Sequence, residues 1–185
     1  MRQFLIFSVC IGLQLVGCTS QSNKGLEPSD AKALGKQLMS NLPGIFSLDQ
    51  DNKERLGGYS VPPILNGNWI LASHPISLVE SFTKETQAIA TIFVKVDEEF
   101  VRLMTTEPNE KTGTALPHSH PAYQRLIGEL RYTNKVTLAG NDYMADYDVF
   151  RDRQGRIIGA YLVGIPMAQP ISCNSCTSKS AQSPK

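Results

Sequence analysis

YMADYDVFRDRQGRIIGAYLVGIPM, Tyr143 to Met167, sets the architecture of the chain. Two β-rich runs flank Asp152-Arg153-Gln154-Gly155, whose glycine can take the positive φ that closes a short hairpin. The second run, Ile157 to Ile165, is apolar at nearly every position. A strand wet on one face would alternate, so this one is expected to be buried on both faces and central in its sheet. Gly159 and Gly164 weaken a strand's intrinsic preference, but they let another backbone or a packed side chain come close. The first run puts Tyr143, Ala145, Tyr147 and Val149 on one face, and Met144, Asp146, Asp148 and Phe150 on the other. Polar groups on both faces imply a strand lining something wetter than a core.

Outward from this hairpin, the rest of the chain supplies its partners. Ser29 or Asp30 can cap a helix carrying Ala31, Leu34, Leu38 and Leu42 at helical spacing, stopped by Pro43-Gly44. Asp49 to Pro63 is charged, then Gly- and Pro-rich, and reads as a loop. Ile64 to Leu71 reads as a small hairpin about Asn66-Gly67, or as a strand start followed by a turn. Ser77 and Glu80 form an S-x-x-E box ahead of Val79 and Phe82, for a helix from Pro75 to about Lys84. Strands follow at Ala90 to Val96 and Phe100 to Thr106, joined by Asp97-Glu98-Glu99. Glu107 to Pro121 is a long polar loop, and Pro121 suits the first position of a helix reaching about Leu130. Val136 to Leu138 is a short strand leading into the hairpin. The sum is an α+β domain: a five-stranded antiparallel sheet with an N-terminal helix and helices on one side.

With 185 residues and 41% apolar content, one domain burying about two-thirds of its extended surface is expected. A formal net charge of +1 leaves no electrostatic footprint for nucleic acid. Arg2 precedes an uncharged, mostly apolar run, Phe4 to Val16, long enough for a signal-peptide core and too short to span a bilayer. It ends Leu15-Val16-Gly17-Cys18, which resembles the bacterial lipobox. The resemblance implies a signal peptide over 1–17 and acylation of Cys18 as the new first residue. The plainer alternatives are an uncleaved anchor or a non-lipidated leader with an incidental cysteine. Thr19 and Ser20 follow in place of an aspartate, which by resemblance to Gram-negative sorting implies an outer-membrane protein facing the periplasm, if the host is Gram-negative. Residues 18–28 read as a tether, 29–169 as the binding domain, and 170–185 as a Ser-rich tail.

ILNGNWIL (64–71), ATIFVKVDEEFVRLMTT (90–106), GTALPHSHPAYQRLIGE (113–129) and the hairpin itself together resemble, in order and spacing, the extracytoplasmic Cache sensor domains. The type is the PAS-like single domain called the Cache 3/Cache 2 fusion. The resemblance implies a domain that binds small metabolites. Family members usually sit between two membrane helices of chemoreceptors and sensor kinases. This sequence shows neither a second apolar span nor an output module, so binding, with a signalling or envelope protein as partner, is the expectation that carries over.

Arg102 is the sharpest ligand-binding candidate. It shares a strand face with Phe100 and Met104, and a guanidinium between apolar neighbours needs an anion, whose planar carboxylate it can hold by two parallel bonds. Related sensors of organic acids use an arginine on the matching strand. The bland alternatives are an ion pair with Asp146 or Asp148, or an edge arginine in water. Tyr143 and Tyr147, which share a face, and Tyr123 can wall a small-ligand pocket, or can be core. Thr105 and Lys135 are further polar candidates.

His118 and His120 form an H-x-H, but a zinc site wants three or four ligands, so no metal and no cofactor are expected. Cys173 and Cys176 form a C-x-x-C in the tail, outside any thioredoxin context, and outside the cytoplasm a local disulfide is the expectation. No nucleophile elbow or phosphate loop argues for an enzyme. Two readings remain: a lipid-anchored sensor of a small carboxylate, or a structural lipoprotein using the same scaffold without a ligand.

Overall fold

Pro28 takes the first helical position, where its missing N–H costs nothing, in a computed structural model that describes residues 26–42, 44–67, 69–71 and 76–167. The leader, Cys18, the start of the tether, His74 and the Cys173/Cys176 pair lie outside the described residues. The N-cap of helix α1, Pro28–Ser40, is thus Glu27, two residues ahead of Ser29, the nearer of the expected caps. Asp30 lies in its first turn and accepts the Glu27 N–H at 2.9 Å. Ala31 and Leu38 are buried, as their spacing predicts.

Five short strands follow: β1 (Phe46–Leu48), β2 (Glu54–Leu56), β3 (Tyr59–Val61), β4 (Ile64–Asn66) and β5 (Trp69–Ile70). The stretch read as a loop, Asp49 to Pro63, contains the β2–β3 hairpin. Strands of three residues are too short to display an alternation, so the pattern hides them. The hairpin about Gly67 forms, with Leu65 opposite Ile70 and Asn66 opposite Trp69, and β1 joins it to complete the order β1-β4-β5. Helix α2 covers Ile76–Thr86.

The main sheet comprises β6 (Ile89–Val96), β7 (Glu99–Thr105), β8 (Tyr132–Leu138), β9 (Asn141–Arg151) and β10 (Ile157–Pro166) in the antiparallel order β7-β6-β10-β9-β8. The apolar run is β10, central and buried from Ile158 to Gly164. Strand β8 is seven residues long where the sequence marks three, because an edge strand lets Asn134, Lys135 and Thr137 face water and shows no apolar alternation. Helix α3 spans Pro121–Ile127 and stops at Gly128, short of Leu130, which is half exposed.

Strand alternation divides the interior in two. Ile92, Val94, Tyr161 and Val163 face a cluster closed by α1, α2 and the small sheet. Phe93, Ala160 and Leu162 face the other cluster, closed by Leu116 of the 107–121 loop and by Ala122, Tyr123 and Leu126 of α3. The two longer helices therefore share one face, as expected, and the short α3 helps to cover the other. Met104 departs from the expected face. A register shift between Ile92 and Phe93 leaves Leu103 as an extra residue on β7, so Leu103 and Met104 both join the α1 side while Phe100 stays opposite.

Gly159 lies where the sequence asks for close approach: a Cβ there would run into the Phe93 carbonyl oxygen and the Phe150 ring. Gly159→Ala is expected to cost about 1–3 kcal/mol. The urea midpoint should fall with an unchanged m-value.

Candidate functional site

Arg102 is the largest fully buried side chain among the described residues, 2% exposed, on the sheet face covered by the 107–121 loop. The loop encloses it by backbone and side chain together. Its N–H donates to the Thr114 carbonyl and its carbonyl accepts from Gly113 N–H, both at 2.8 Å. Leu116 N–H reaches the Phe100 carbonyl at 2.9 Å, so residues 113–116 pair with the outer edge of β7. Against the β2–β3 turn the same loop makes a glycine-on-glycine contact, Gly113 against Gly57, where a Cβ on either would clash with the other's backbone. The long polar loop is therefore a docked strap that seals one sheet edge.

The guanidinium is shared unequally. Its Nη1 donates to the Ala115 carbonyl at 2.9 Å and the Thr114 hydroxyl at 3.2 Å, and lies 3.2 Å from Glu110 Oε2. Nη2 donates to Glu107 Oε1 at 2.8 Å. The Phe93 ring lies 5.4 Å beneath the central carbon, within cation–π range. Nε has no hydrogen-bond partner, and neither does Glu107 Oε2, although both atoms are buried. Glu107 thus holds the arginine by one bond where a side-on carboxylate pair makes two.

Sequence reasoning missed Glu107. It follows the strand end, five residues after Arg102, and its N–H donates to the Thr105 hydroxyl at 3.0 Å. Thr105 in turn shares a 2.6 Å hydrogen bond with Thr91 across the β6–β7 pair. An acid just past the end of a strand that carries an inward arginine was the available signal. Burial pushes the Glu107 carboxyl above its ordinary range, against the pull of Arg102.

Tyr147 is fully buried on the same face, and burial keeps its phenol firmly protonated. Its hydroxyl lies 3.4 Å from His120 Nε2. His120 caps α3, its Nδ1 accepting the Ala122 N–H at 3.2 Å, and this bond assigns the ring proton to Nε2. Burial, then the charge of Arg102, lowers the His120 pKa and holds the ring neutral. Tyr143 and Tyr123 belong to the same apolar cluster. The Tyr123 hydroxyl donates to the Glu98 carbonyl at 3.0 Å, and its ring stacks on His118. The two histidines turn to different partners, His118 to Glu99 at 2.8 Å and His120 to Ala122, so the H-x-H does not converge.

Lys135 stands apart from this group. It is on the edge strand β8, half exposed, and paired with Asp142 at 2.7 Å. Neither alternative partner offered for Arg102 reaches it. Asp146 and Asp148 project from β9 on the α1 side and pair there with Arg131. Arg131 gives Asp146 two bonds, 2.7 and 2.6 Å, and Thr133 adds a third at 2.7 Å.

Comparison with known families agrees with this architecture. A family model described as the Cache 3/Cache 2 fusion domain matches residues 18–173. No curated protein and no solved structure matches the chain.

Arg102→Ala would strand the Glu107 carboxylate in a dry site. Removing one partner of a buried pair costs about 3–5 kcal/mol, to be read from denaturation near neutral pH. A raised carboxyl pKa gives stability that is full below the ordinary carboxylate range and lost as pH rises through the raised value. Without Arg102 that window moves further up. The deficit of the variant should therefore be larger at about pH 7 than at about pH 5.

Proposed function

The chain belongs to the Cache 3/Cache 2 fusion family of extracytoplasmic, small-molecule-binding sensor domains, and from that membership we propose a lipid-anchored protein that binds a small organic anion at Arg102. The observation that supports this reading is a guanidinium 2% exposed, set over the Phe93 ring, with Nε unused. An incoming carboxylate would take Nε and Nη2 side-on, the geometry arginine is pre-organised for. Thr105 borders the site through Glu107, and Tyr147 approaches it from β9. Tyr143 and Tyr123 supply apolar wall in the cluster behind them. Lys135, exposed on β8, is left out of this site.

The anchor in this proposal is Cys18, acylated after removal of 1–17. The stretch from Cys18 to Pro28 can reach at most roughly 35 Å, enough to hold the domain clear of the headgroups. Cys173 and Cys176 close a local disulfide, as expected outside the cytoplasm. The absence of aspartate after Cys18 supports an outer-membrane address if the host is Gram-negative.

One observation favours a second reading, a structural or interaction lipoprotein without a ligand. Glu107 and Glu110 already lie against the guanidinium, at 2.8 and 3.2 Å.

A thermal-shift screen of small carboxylates, amino acids and amines separates the two. A ligand at a hundredfold excess over its Kd adds about 2.7 kcal/mol of stability. Stabilisation confined to carboxylates, and absent in folded Arg102→Gln, is the expected result, and a flat screen favours the second reading. Separately, labelled palmitate should enter the wild-type protein, and Cys18→Ser should abolish the label and release the protein from the membrane fraction.

A further inference from the structure

The arginine that would receive the ligand already carries a carboxylate of its own chain, and carries it poorly. Glu107 makes one bond to the guanidinium, Oε1 to Nη2 at 2.8 Å, with the Thr91 hydroxyl near its carboxyl, and its Oε2 completes no hydrogen bond. Nε, the donor next to Nη2 on the same side of the guanidinium, is also without one. Both side chains are nearly dry, 2% and 3% exposed. A native pair built for stability would close the second bond, because an unmade bond between buried charged groups costs more than a made one gains.

We propose that Glu107 is a tethered competitor: a ligand enters by displacing it from Arg102, and this exchange restricts the site to small monocarboxylates. The inference rests on Arg102 being the ligand site. A free carboxylate can approach side-on and bond Nε and Nη2 together, which Glu107 does not do from its place after β7. The exchange conserves charge at the guanidinium, one carboxylate leaving as another arrives. It therefore needs no compensating ion.

Selectivity follows from what stays behind. Glu110, with Oε2 3.2 Å from Nη1, remains after Glu107 leaves. A monocarboxylate restores the resting balance of one guanidinium and two carboxylates. A dicarboxylate brings a third negative charge into a site whose remaining neighbours, Tyr147 and His120, are neutral. An amine offers no acceptor pair to the fork, and a phosphate, which can bond it side-on, is bulkier and as a dianion brings the same extra charge as a dicarboxylate.

The exchange also names the segment that moves. Glu107 starts the strap, and Glu110 N–H donates to the Glu107 carbonyl at 3.3 Å. The far end is held separately, by Gly113 and Leu116 on the backbone of β7. Expelling Glu107 loosens the backbone of 107–109 and frees the Glu110 amide, while the Glu110 carboxylate, bonded to the Thr114 hydroxyl at 3.2 Å, and residues 113–116 stay in place.

Titrating the isotope-labelled protein with propionate and with succinate, followed by amide shifts, tests the proposal. Glu107→Gln keeps the shape of the side chain and removes its charge. It should tighten propionate binding by about tenfold or more, the worth of one charge-assisted hydrogen bond. Glu110→Gln removes the same charge from the same guanidinium on its half-exposed side and should change affinity by about fivefold or less. Equal gains in the two variants would reduce the effect to net charge and overturn the proposal. Unchanged or weaker propionate binding in folded Glu107→Gln would overturn it too, while leaving Arg102 as the site. Should Glu107→Gln not fold, the wild-type protein decides: saturating propionate should speed exchange of the Glu107 and Glu110 amides, both bonded within the displaced turn, and not of those over 113–116. Slower or unchanged exchange there overturns the exchange mechanism. Succinate binding more tightly than propionate overturns the selectivity, and no binding of either by any of the proteins overturns this inference together with the anion site itself.

Discussion

A central strand that is apolar on both faces cannot be left wet on either, and that requirement organises the domain. Strand β10 alternates its burial between two clusters, Tyr161 and Val163 on one side and Ala160 and Leu162 on the other. Burying a side chain of this size is worth about 1.5–3 kcal/mol, so each face needs a cover. One face takes α1, α2 and the small sheet. The other has no long helix and is closed by the 107–121 strap and α3. A cover made mostly of loop is held by a few backbone bonds and a side-chain clamp, and this is the cover that lies over Arg102.

Each face also buries one charged side chain on a strand, and the two are treated differently. Asp146 is fully buried, receives two bonds from Arg131 and one from Thr133, and has the Tyr161 hydroxyl 3.4 Å away. Arg131 also reaches toward the Lys32 carbonyl of α1, so this network ties helix to sheet. Both Asp146 oxygens are satisfied, which is what a buried structural ion requires. Arg102 is equally buried and keeps an idle donor beside an idle acceptor. The contrast within one domain is one of satisfaction: desolvation has been met in the first case and only partly met in the second, and the proposed exchange at Arg102 rests on that difference.

How much of this the sequence revealed depends on the range of the interactions. The uninterrupted apolar run of β10, the Gly155 turn and the close approach at Gly159 are local and were readable. So was the inward position of Arg102, since its neighbours Phe100 and Val101 fix the phase of the strand. The register shift at Leu103, which sends Met104 to the other face, leaves no mark in an alternation that ends two residues later. The length of β8 was hidden because an edge strand tolerates polar side chains on both faces. Glu107 was hidden by its setting: a polar loop makes one more glutamate look ordinary, and its inward turn is held by bonds to Thr105 and Arg102 that no periodicity marks. Asp146 and Asp148 were visible as charged strand residues, but their partner Arg131 comes from a turn whose path no periodicity describes.

The same distribution bears on how binding could be read by a partner. No helix among the described residues is long and apolar enough to cross a membrane. If a ligand binds at Arg102 as proposed, the change reaches the surface through whichever cover of the sheet is held more weakly. On the α1 side, the bonds of Asp146 to Arg131 and the packing of Leu38 against the sheet resist displacement. On the strap side, the first turn after β7 is held by Glu107 through one hydrogen bond to an arginine and one to a threonine. A small ligand has only a few kcal/mol of differential affinity with which to move anything, and it moves the element whose alternative state lies that close in free energy. Under the proposed exchange the strap meets that condition and α1 does not, so the surface that would report the ligand is the first turn of the strap after β7, not helix α1.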